Sequence, residues 1–138
     1  MTKTVLVTGA SSGIGRAQAL TFLENGYRVY GVDKGENPGF LNELRFFKMD
    51  LTDDLTPLFT SLPEVDILCN TAGILDDYRP LHETSDEDWE QLFALNLIAT
   101  MKITRFYLQK MLEKKSGIII NMCSIASFLA GGGGAAYT

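Results

Sequence analysis

The stretch Thr8-Gly9-Ala10-Ser11-Ser12-Gly13-Ile14-Gly15 follows the apolar run Val5-Leu6-Val7 and leads into a helical pattern. Its three glycines therefore sit where a first strand turns into a first helix, the place where a pyrophosphate docks. Gly9 permits a tight turn, Gly13 lets backbone N–H groups approach the phosphates, and Gly15 lets the helix lie close on the strand. Ser11, Ser12 and Ile14 complete the binding turn, and the helix N-terminus adds partial positive charge. The spacing is Gly-x-x-x-Gly-x-Gly rather than Gly-x-Gly-x-x-Gly. No Lys follows where a P-loop needs one, which speaks against nucleoside triphosphate chemistry. The turn reads as a dinucleotide site.

Outward from this turn, strand and helix signals alternate along the whole chain, with no repeat or composition break to mark a second domain. Strands are expected at 4–8, 28–33, 45–49, 65–70 and 118–122. The last of these is apolar throughout, as expected of a strand buried on both faces. Ile14, Ala17, Leu20 and Leu23 give the first helix an apolar stripe, and Asn25-Gly26 is a stop signal. The loop holding Gly35, Pro38 and Gly39 leaves room for only a turn or two of helix before the third strand, so the second crossover is short. From 85 to 115 the helical pattern is nearly unbroken, with Ser85 as N-cap and Asp86, Glu87 and Asp88 in the first turn.

Right-handed crossovers between parallel strands then imply an α/β, Rossmann-type doubly wound sheet of order 3-2-1-4-5. Its crevice lies at the carboxyl ends of the first and fourth strands. In the long helix, Leu97, Ile98, Met101, Ile103, Phe106, Tyr107, Leu108, Met111 and Leu112 cover more than one face. Packing on a sheet needs less than that, so a subunit interface is one explanation and ordinary surface apolar residues are the other.

Composition excludes several function classes. With 138 residues, 46% hydrophobic and 21% charged, the chain fits one globular domain able to bury roughly two-thirds of its surface. A net charge of -5 argues against a nucleic-acid partner. No apolar stretch nears the roughly 20 residues of a membrane span, and no signal-peptide pattern follows Lys3, so the cytoplasm is the expected compartment. Cys69 and Cys123, near strand ends, read as small buried free thiols. The lone histidine, His82, has no companions at metal-ligand spacing and reads as a loop residue, so no metal site is expected. Trp89 reads as a packing anchor.

Asp33 ends the second strand eighteen positions after Gly15, close to the roughly 20 expected for the carboxylate that accepts the adenosine ribose hydroxyls. A ribose phosphate there would face that charge, so NAD is favoured over NADP, with Lys34 softening the preference.

With these features in place, the whole chain resembles the short-chain dehydrogenase/reductase family. The glycine turn is similar to the family's cofactor turn, Asn70-Thr71-Ala72-Gly73 resembles its Asn-Asn-Ala-Gly element, and Asp50-Leu51 resembles its adenine-pocket pair. Asn96 resembles the active-site asparagine, Ser124 the catalytic serine, and Tyr137, thirteen residues further on, the catalytic tyrosine. Nearer likenesses are to beta-ketoacyl-carrier-protein reductases and to short-crossover NAD enzymes such as dihydrodihydroxybenzoate dehydrogenases. A sugar-nucleotide-modifying member is disfavoured, because that type carries a Gly-x-x-Gly-x-x-Gly turn.

The resemblance implies hydride transfer between a nicotinamide and a small secondary alcohol or ketone. Ser124 would polarise the carbonyl, Tyr137 would act as acid and base, and Asn96 would support the proton relay. At the cofactor site Asn70 would tie neighbouring strands by side-chain hydrogen bonds while Ala72 and Gly73 leave space for the ribose, and a dimer or tetramer would form through the long helix. Asn96 is a poor mid-helix residue, so a local distortion of the helix is expected there. A free phenol ionises near pH 10, so at pH 7 about 4 kcal/mol separates it from phenolate. In the family a Lys four residues after the Tyr closes this gap, and the sequence stops at Thr138. The expectation is thus an N-terminal part of a longer enzyme, inactive without the Lys-bearing segment. The fifth strand would then be an exposed edge, and 131–134 a mobile glycine run. The alternative is a nucleotide-binding module without turnover.

Overall fold

The computed structural model describes residues 2–39, 44–129 and 131–138. Five parallel strands form one sheet: β1 (Thr4–Thr8), β2 (Arg28–Asp33), β3 (Arg45–Lys48), β4 (Ile67–Asn70) and β5 (Ile118–Asn121), in the spatial order β3-β2-β1-β4-β5. This is the order expected from the sequence. The central strand β1 pairs Val5 with Val29 on one side and with Ile67 on the other. Side chains alternate across it, so Val5 and Val7 join one core with Ala19, Val29 and Cys69, while Leu6 joins the other with Leu58, Leu68, Ile103 and Tyr107. Helix α1 (Gly13–Glu24) contributes Ala19 to the first core. The second core holds helix α2 (Thr56–Ser61) through Leu58, and helix α4 (Thr100–Lys114) through Ile103, Tyr107 and Met111.

The long helix is one body with a break in its winding. Helix α3 (Asp86–Phe93) begins at a capping box in which the Ser85 hydroxyl accepts the Asp88 N–H and the Asp88 carboxylate accepts the Ser85 N–H. A π-helical segment, Ala94–Ala99, then carries the chain into α4, which closes at Lys115 in the left-handed region. Asn96 lies inside the π segment, where the sequence led us to expect a distortion. The broad apolar cover of the helix divides in two. Ile103, Tyr107 and Met111 are buried, whereas Leu97, Ile98, Met101, Leu108 and Leu112 face outward. The Tyr107 hydroxyl, wholly buried, donates to the Leu62 carbonyl at 2.9 Å and ties α4 to the end of α2. Burial pushes its phenol well above the ordinary tyrosine range.

Some expectations need correction. Helix α2 was not anticipated, because six residues are too few to show an apolar period. Strand β5 is not buried on both faces: Ile118 is 50% and Ile120 39% exposed, since β5 is the edge strand and pairs only with β4 among the described residues. Cys123 is exposed for the same reason, while Cys69 is buried and its thiol is pushed up to about 11 by desolvation. His82 stands exposed on a short 3-10 turn, Leu81–Glu83, and Trp89 packs against Phe93 with ring centroids 5.6 Å apart. The short helical piece expected between β2 and β3 includes 40–43, which lie outside the described residues. No described helix is long and apolar enough to cross a membrane.

Removing the Tyr107 hydroxyl leaves the Leu62 carbonyl buried without its donor. Tyr107→Phe is expected to lower unfolding stability by about 1–2 kcal/mol with an unchanged denaturant slope. Urea titration followed by circular dichroism checks it, and an unshifted midpoint counts against the bond.

Candidate active site

The carboxyl ends of β1 and β4 are laced together before any ligand is considered. The Thr8 hydroxyl accepts the N–H groups of Thr71 at 2.9 Å and Ala72 at 3.0 Å. Gly9 follows with a φ of +71°, and a Cβ there would sit 2.9 Å from the Ala72 Cα. Gly15 packs so closely on the turn that a Cβ would overlap the Gly9 carbonyl. Gly13, also at positive φ, has open space where a Cβ would be. Ser12 stands at the N-cap of α1, but its side chain makes no capping hydrogen bond. The N–H groups of the first turn of α1 therefore remain available at the crevice that this turn lines. These are three different uses of glycine, and together they hold the helix start against the strand end with its N-terminus open to the crevice.

The crevice has a volume of about 500 Å³, within the usual range for small-molecule sites. Of the residues assigned to the cofactor from the sequence, Gly9, Ser12, Gly13, Ile14, Gly15, Asp33, Asp50, Leu51, Ala72 and Gly73 line it. Two expected residues do not. Ser11 instead donates its backbone N–H to the Asp33 carboxylate at 3.0 Å. Asn70 is buried in the sheet, where its amide donates to Thr104 Oγ1 and to Asn121 Oδ1, each at 2.8 Å. It ties β4 to β5 and α4 beneath the crevice floor. Lys34, Met49, Thr71, Ile74, Leu95 and Met122 complete the lining. Reading the sequence missed the four apolar ones because Met49, Ile74 and Met122, just beyond strands, and Leu95, in the π segment, look like core. For the three that follow strands, the carboxyl edge of the sheet was the available signal.

Asp33 is held from two sides, since its second carboxylate oxygen accepts the Gly35 N–H at 2.9 Å. Partial burial works to raise its pKa, but hydrogen bonds from Gly35, Ser11 and Lys34 prevail and hold it below the usual carboxylate range. Lys34 also lines the crevice. Asp50 accepts both the N–H and the hydroxyl of Thr52, which keep its carboxyl below the usual range too.

The three residues expected to carry chemistry are placed unequally. Asn96 binds one neighbour through both ends of its amide: Oδ1 accepts the Ile74 N–H and Nδ2 donates to the Ile74 carbonyl, both at 2.9 Å. Asn96 and Tyr137 line one groove of about 310 Å³, together with Trp89, Phe93 and Leu97. Ser124 lines neither that groove nor the main crevice. Its hydroxyl oxygen accepts the Ala126 N–H at 3.2 Å and so caps the short turn Ile125–Ser127. Among the described residues no hydrogen bond joins the side chains of Asn96, Ser124 and Tyr137. Sequence reasoning missed Asp76 altogether. This buried carboxylate accepts N–H groups from Gly134, Ala136 and Tyr137.

A family profile described as short chain dehydrogenase matches residues 3–138. The chain belongs to the short-chain dehydrogenase family. Among curated relatives, the short-chain dehydrogenase/reductase olcF of Penicillium canescens is 37% identical over 144 residues, covering 97% of this chain and 56% of the relative. The 3beta-hydroxysteroid dehydrogenase 2 of Eggerthella lenta is 33% identical over 152 residues, covering 99% of this chain and 58% of the relative. A solved 4-hydroxyisoleucine dehydrogenase complexed with NADH superposes with a TM-score of 0.89 at 32% identity, covering 98% of this chain and 61% of that one. This short-chain dehydrogenase therefore spans a little over half the length of the curated relatives it matches.

The Asp33 carboxyl gives a pH expectation. A depressed folded pKa means that its contribution to stability is complete above the ordinary Asp value near 3.9. It is lost as the pH falls through the lower folded value. A carbon-detected NMR titration of the aspartate carboxyls should place Asp33 below free Asp, and a midpoint at or above 4 contradicts the two-sided hydrogen bonding.

Proposed function

We propose that this short-chain dehydrogenase is an NAD(H)-preferring oxidoreductase that interconverts a secondary alcohol and a ketone. The observation that carries the reading is the pairing of an uncapped, glycine-lined helix N-terminus with the fixed Asp33 carboxylate in one crevice. The first suits a pyrophosphate, and the second accepts the hydroxyls of an unphosphorylated adenosine ribose. A 2′-phosphate beside Asp33 meets repulsion of about 4 kcal/mol per charge pair at 4 Å and an effective dielectric near 20, which Lys34 reduces. The solved relative named with NADH supports this choice. The 3beta-hydroxysteroid and 4-hydroxyisoleucine dehydrogenases, both named for hydroxyl-bearing compounds, support the alcohol–ketone chemistry. They also weigh against a module without turnover. The chain is read as one nicotinamide-binding domain of a cytoplasmic enzyme.

When bound, the nicotinamide supplies or accepts the hydride. Tyr137 holds the proton that leaves or joins the substrate oxygen, and Ser124 donates a hydrogen bond to the same oxygen once the substrate draws it from its own turn. Asn96 fixes the Ile74 backbone at the crevice wall. Its side chain is held there by two hydrogen bonds, and its part in the proton relay is assigned to its main-chain carbonyl in the π segment.

Fluorescence titration of the protein expressed from its full reading frame should show NADH binding at least about tenfold tighter than NADPH, with Asp33→Ala narrowing the ratio. Equal or tighter NADPH binding by the unmodified protein overturns the NAD preference. Tyr137→Phe should abolish alcohol oxidation while leaving NADH affinity intact.

The outward apolar side chains of Leu97, Ile98, Met101, Leu108 and Leu112 are read as a subunit face. Sedimentation at micromolar concentration should then report a dimer or tetramer, and a monomer refutes it.

A further inference from the structure

The turn that carries Tyr137 makes one helical bond of its own, from the Thr138 N–H to the Gly134 carbonyl at 3.1 Å. The N–H groups ahead of that bond are the orphans that every helical start leaves behind. Here a single loop, 76–79, takes all of them. The Gly134 N–H donates to Asp76 Oδ1 at 2.7 Å, and the Ala136 and Tyr137 N–H groups donate to Asp76 Oδ2, each at 2.9 Å. The Ala135 N–H donates to the Arg79 carbonyl at 3.0 Å. The carboxylate thus does for this turn what a local N-cap side chain does elsewhere, from 61 residues away in sequence.

The loop itself is fixed at both ends. On one side, Asn96 clamps the Ile74 backbone. On the other, the Arg79 guanidinium donates to Asp88 at 2.7 Å, the same residue that closes the capping box of α3. Between them, Asp77 and Tyr78 have φ values of 54° and 59°, and the Arg79 N–H donates to the Asp76 carbonyl at 3.2 Å. Two consecutive non-glycine residues in the left-handed region persist only where their surroundings hold them. Gly134 completes the fit, because a Cβ there would lie 2.6 Å from the Arg79 backbone and from the Asp76 carboxylate.

We propose that Asp76 is a positioning residue for Tyr137, its buried carboxylate gripping the backbone of the tyrosine turn and so fixing the residue in the groove it lines with Asn96. The inference rests on the reading that Tyr137 handles the substrate proton. Burial works to raise the Asp76 pKa, yet the N–H groups of Tyr137, Gly134, Ala136 and Asp76 itself hold it below the usual carboxylate range, so the grip is ionised at neutral pH. Asp76→Asn keeps the shape but replaces one acceptor oxygen by an amide that donates toward N–H groups. Gly134→Ala pushes the same turn off the loop, crowding Arg79 and the carboxylate while leaving the charge of Asp76 in place.

Both variants should be made in the protein expressed from its full reading frame, beside Tyr137→Phe. Turnover is read with NAD and a panel of cyclic and linear secondary alcohols, NADH binding by fluorescence, and backbone order by amide hydrogen exchange. In Asp76→Asn and Gly134→Ala, kcat should fall on the order of 10- to 100-fold, as misplacement by about an ångström does. KM for the alcohol and NADH affinity should stay within about threefold, and the Ala136 and Tyr137 amides should exchange faster while those of β1 do not. Lower thermal stability with unchanged kcat per NADH site marks a structural role alone and overturns the proposal. If Asp76→Asn fails to bind NADH, Gly134→Ala decides. Unchanged kcat in the variants while Tyr137→Phe is inactive overturns the role of Asp76 but not that of Tyr137. Turnover that survives Tyr137→Phe, or none by the unmodified protein, overturns the reading of Tyr137 and this inference with it.

Discussion

The contact between the first turn of α1 and the end of β1 sets the position of everything around it. Gly15 meets the Gly9 carbonyl so closely that no side-chain carbon fits between them, and this draws the helix start down onto the sheet edge. Gly9 in turn lies against Ala72, and Thr8 hydrogen-bonds the Thr71 and Ala72 backbone, so the same contact fixes the segment leaving β4. One close approach thereby aligns the N-terminus of a helix with two strand ends, and the crevice is the space left above them. The ordering cost is met by the sheet beneath, where Val5, Leu6 and Val7 are wholly buried.

A second constraint runs along the opposite wall. A regular α-helix through Asn96 would have competed with its side chain for backbone partners, and here the π segment and the amide clamp on Ile74 occur together. The defect in the helix and the order in the loop are two sides of one arrangement. Position 96 gives up regular helical geometry and the 74–79 loop gains a fixed end. What the loop gains it passes on to the turn at 134–138.

Legibility in the sequence followed the range of the interactions. The glycine spacing, the Asp33 offset and the strand order were readable because each is a local pattern or a rule of connection. The disturbance at Asn96 was readable because a short amide inside a strong helical pattern is a local conflict. Asp76 was not, since it sits in an acidic loop next to Asp77 and its partners lie about sixty residues on. Asn70 was readable from its motif as a tie between neighbouring strands at the cofactor site, and the packing places that tie on Asn121 and Thr104, beneath the crevice rather than in its lining. The burial of β5 was misjudged because apolar content says what a strand tolerates on its faces and not which neighbours it has. Helix α2 was too short to leave a period.

The two cysteines divide the chemistry of this molecule in a way that is useful at the bench. The Cys69 thiol is sealed inside the sheet with its pKa pushed up to about 11, so it offers almost no thiolate to an electrophile at neutral pH. Cys123 is exposed, one residue before Ser124 and directly after the crevice-lining Met122. Among the described residues a maleimide dye or spin label therefore has one reactive attachment point, next to the crevice lining. Nature has supplied a reporter position that would otherwise have to be engineered.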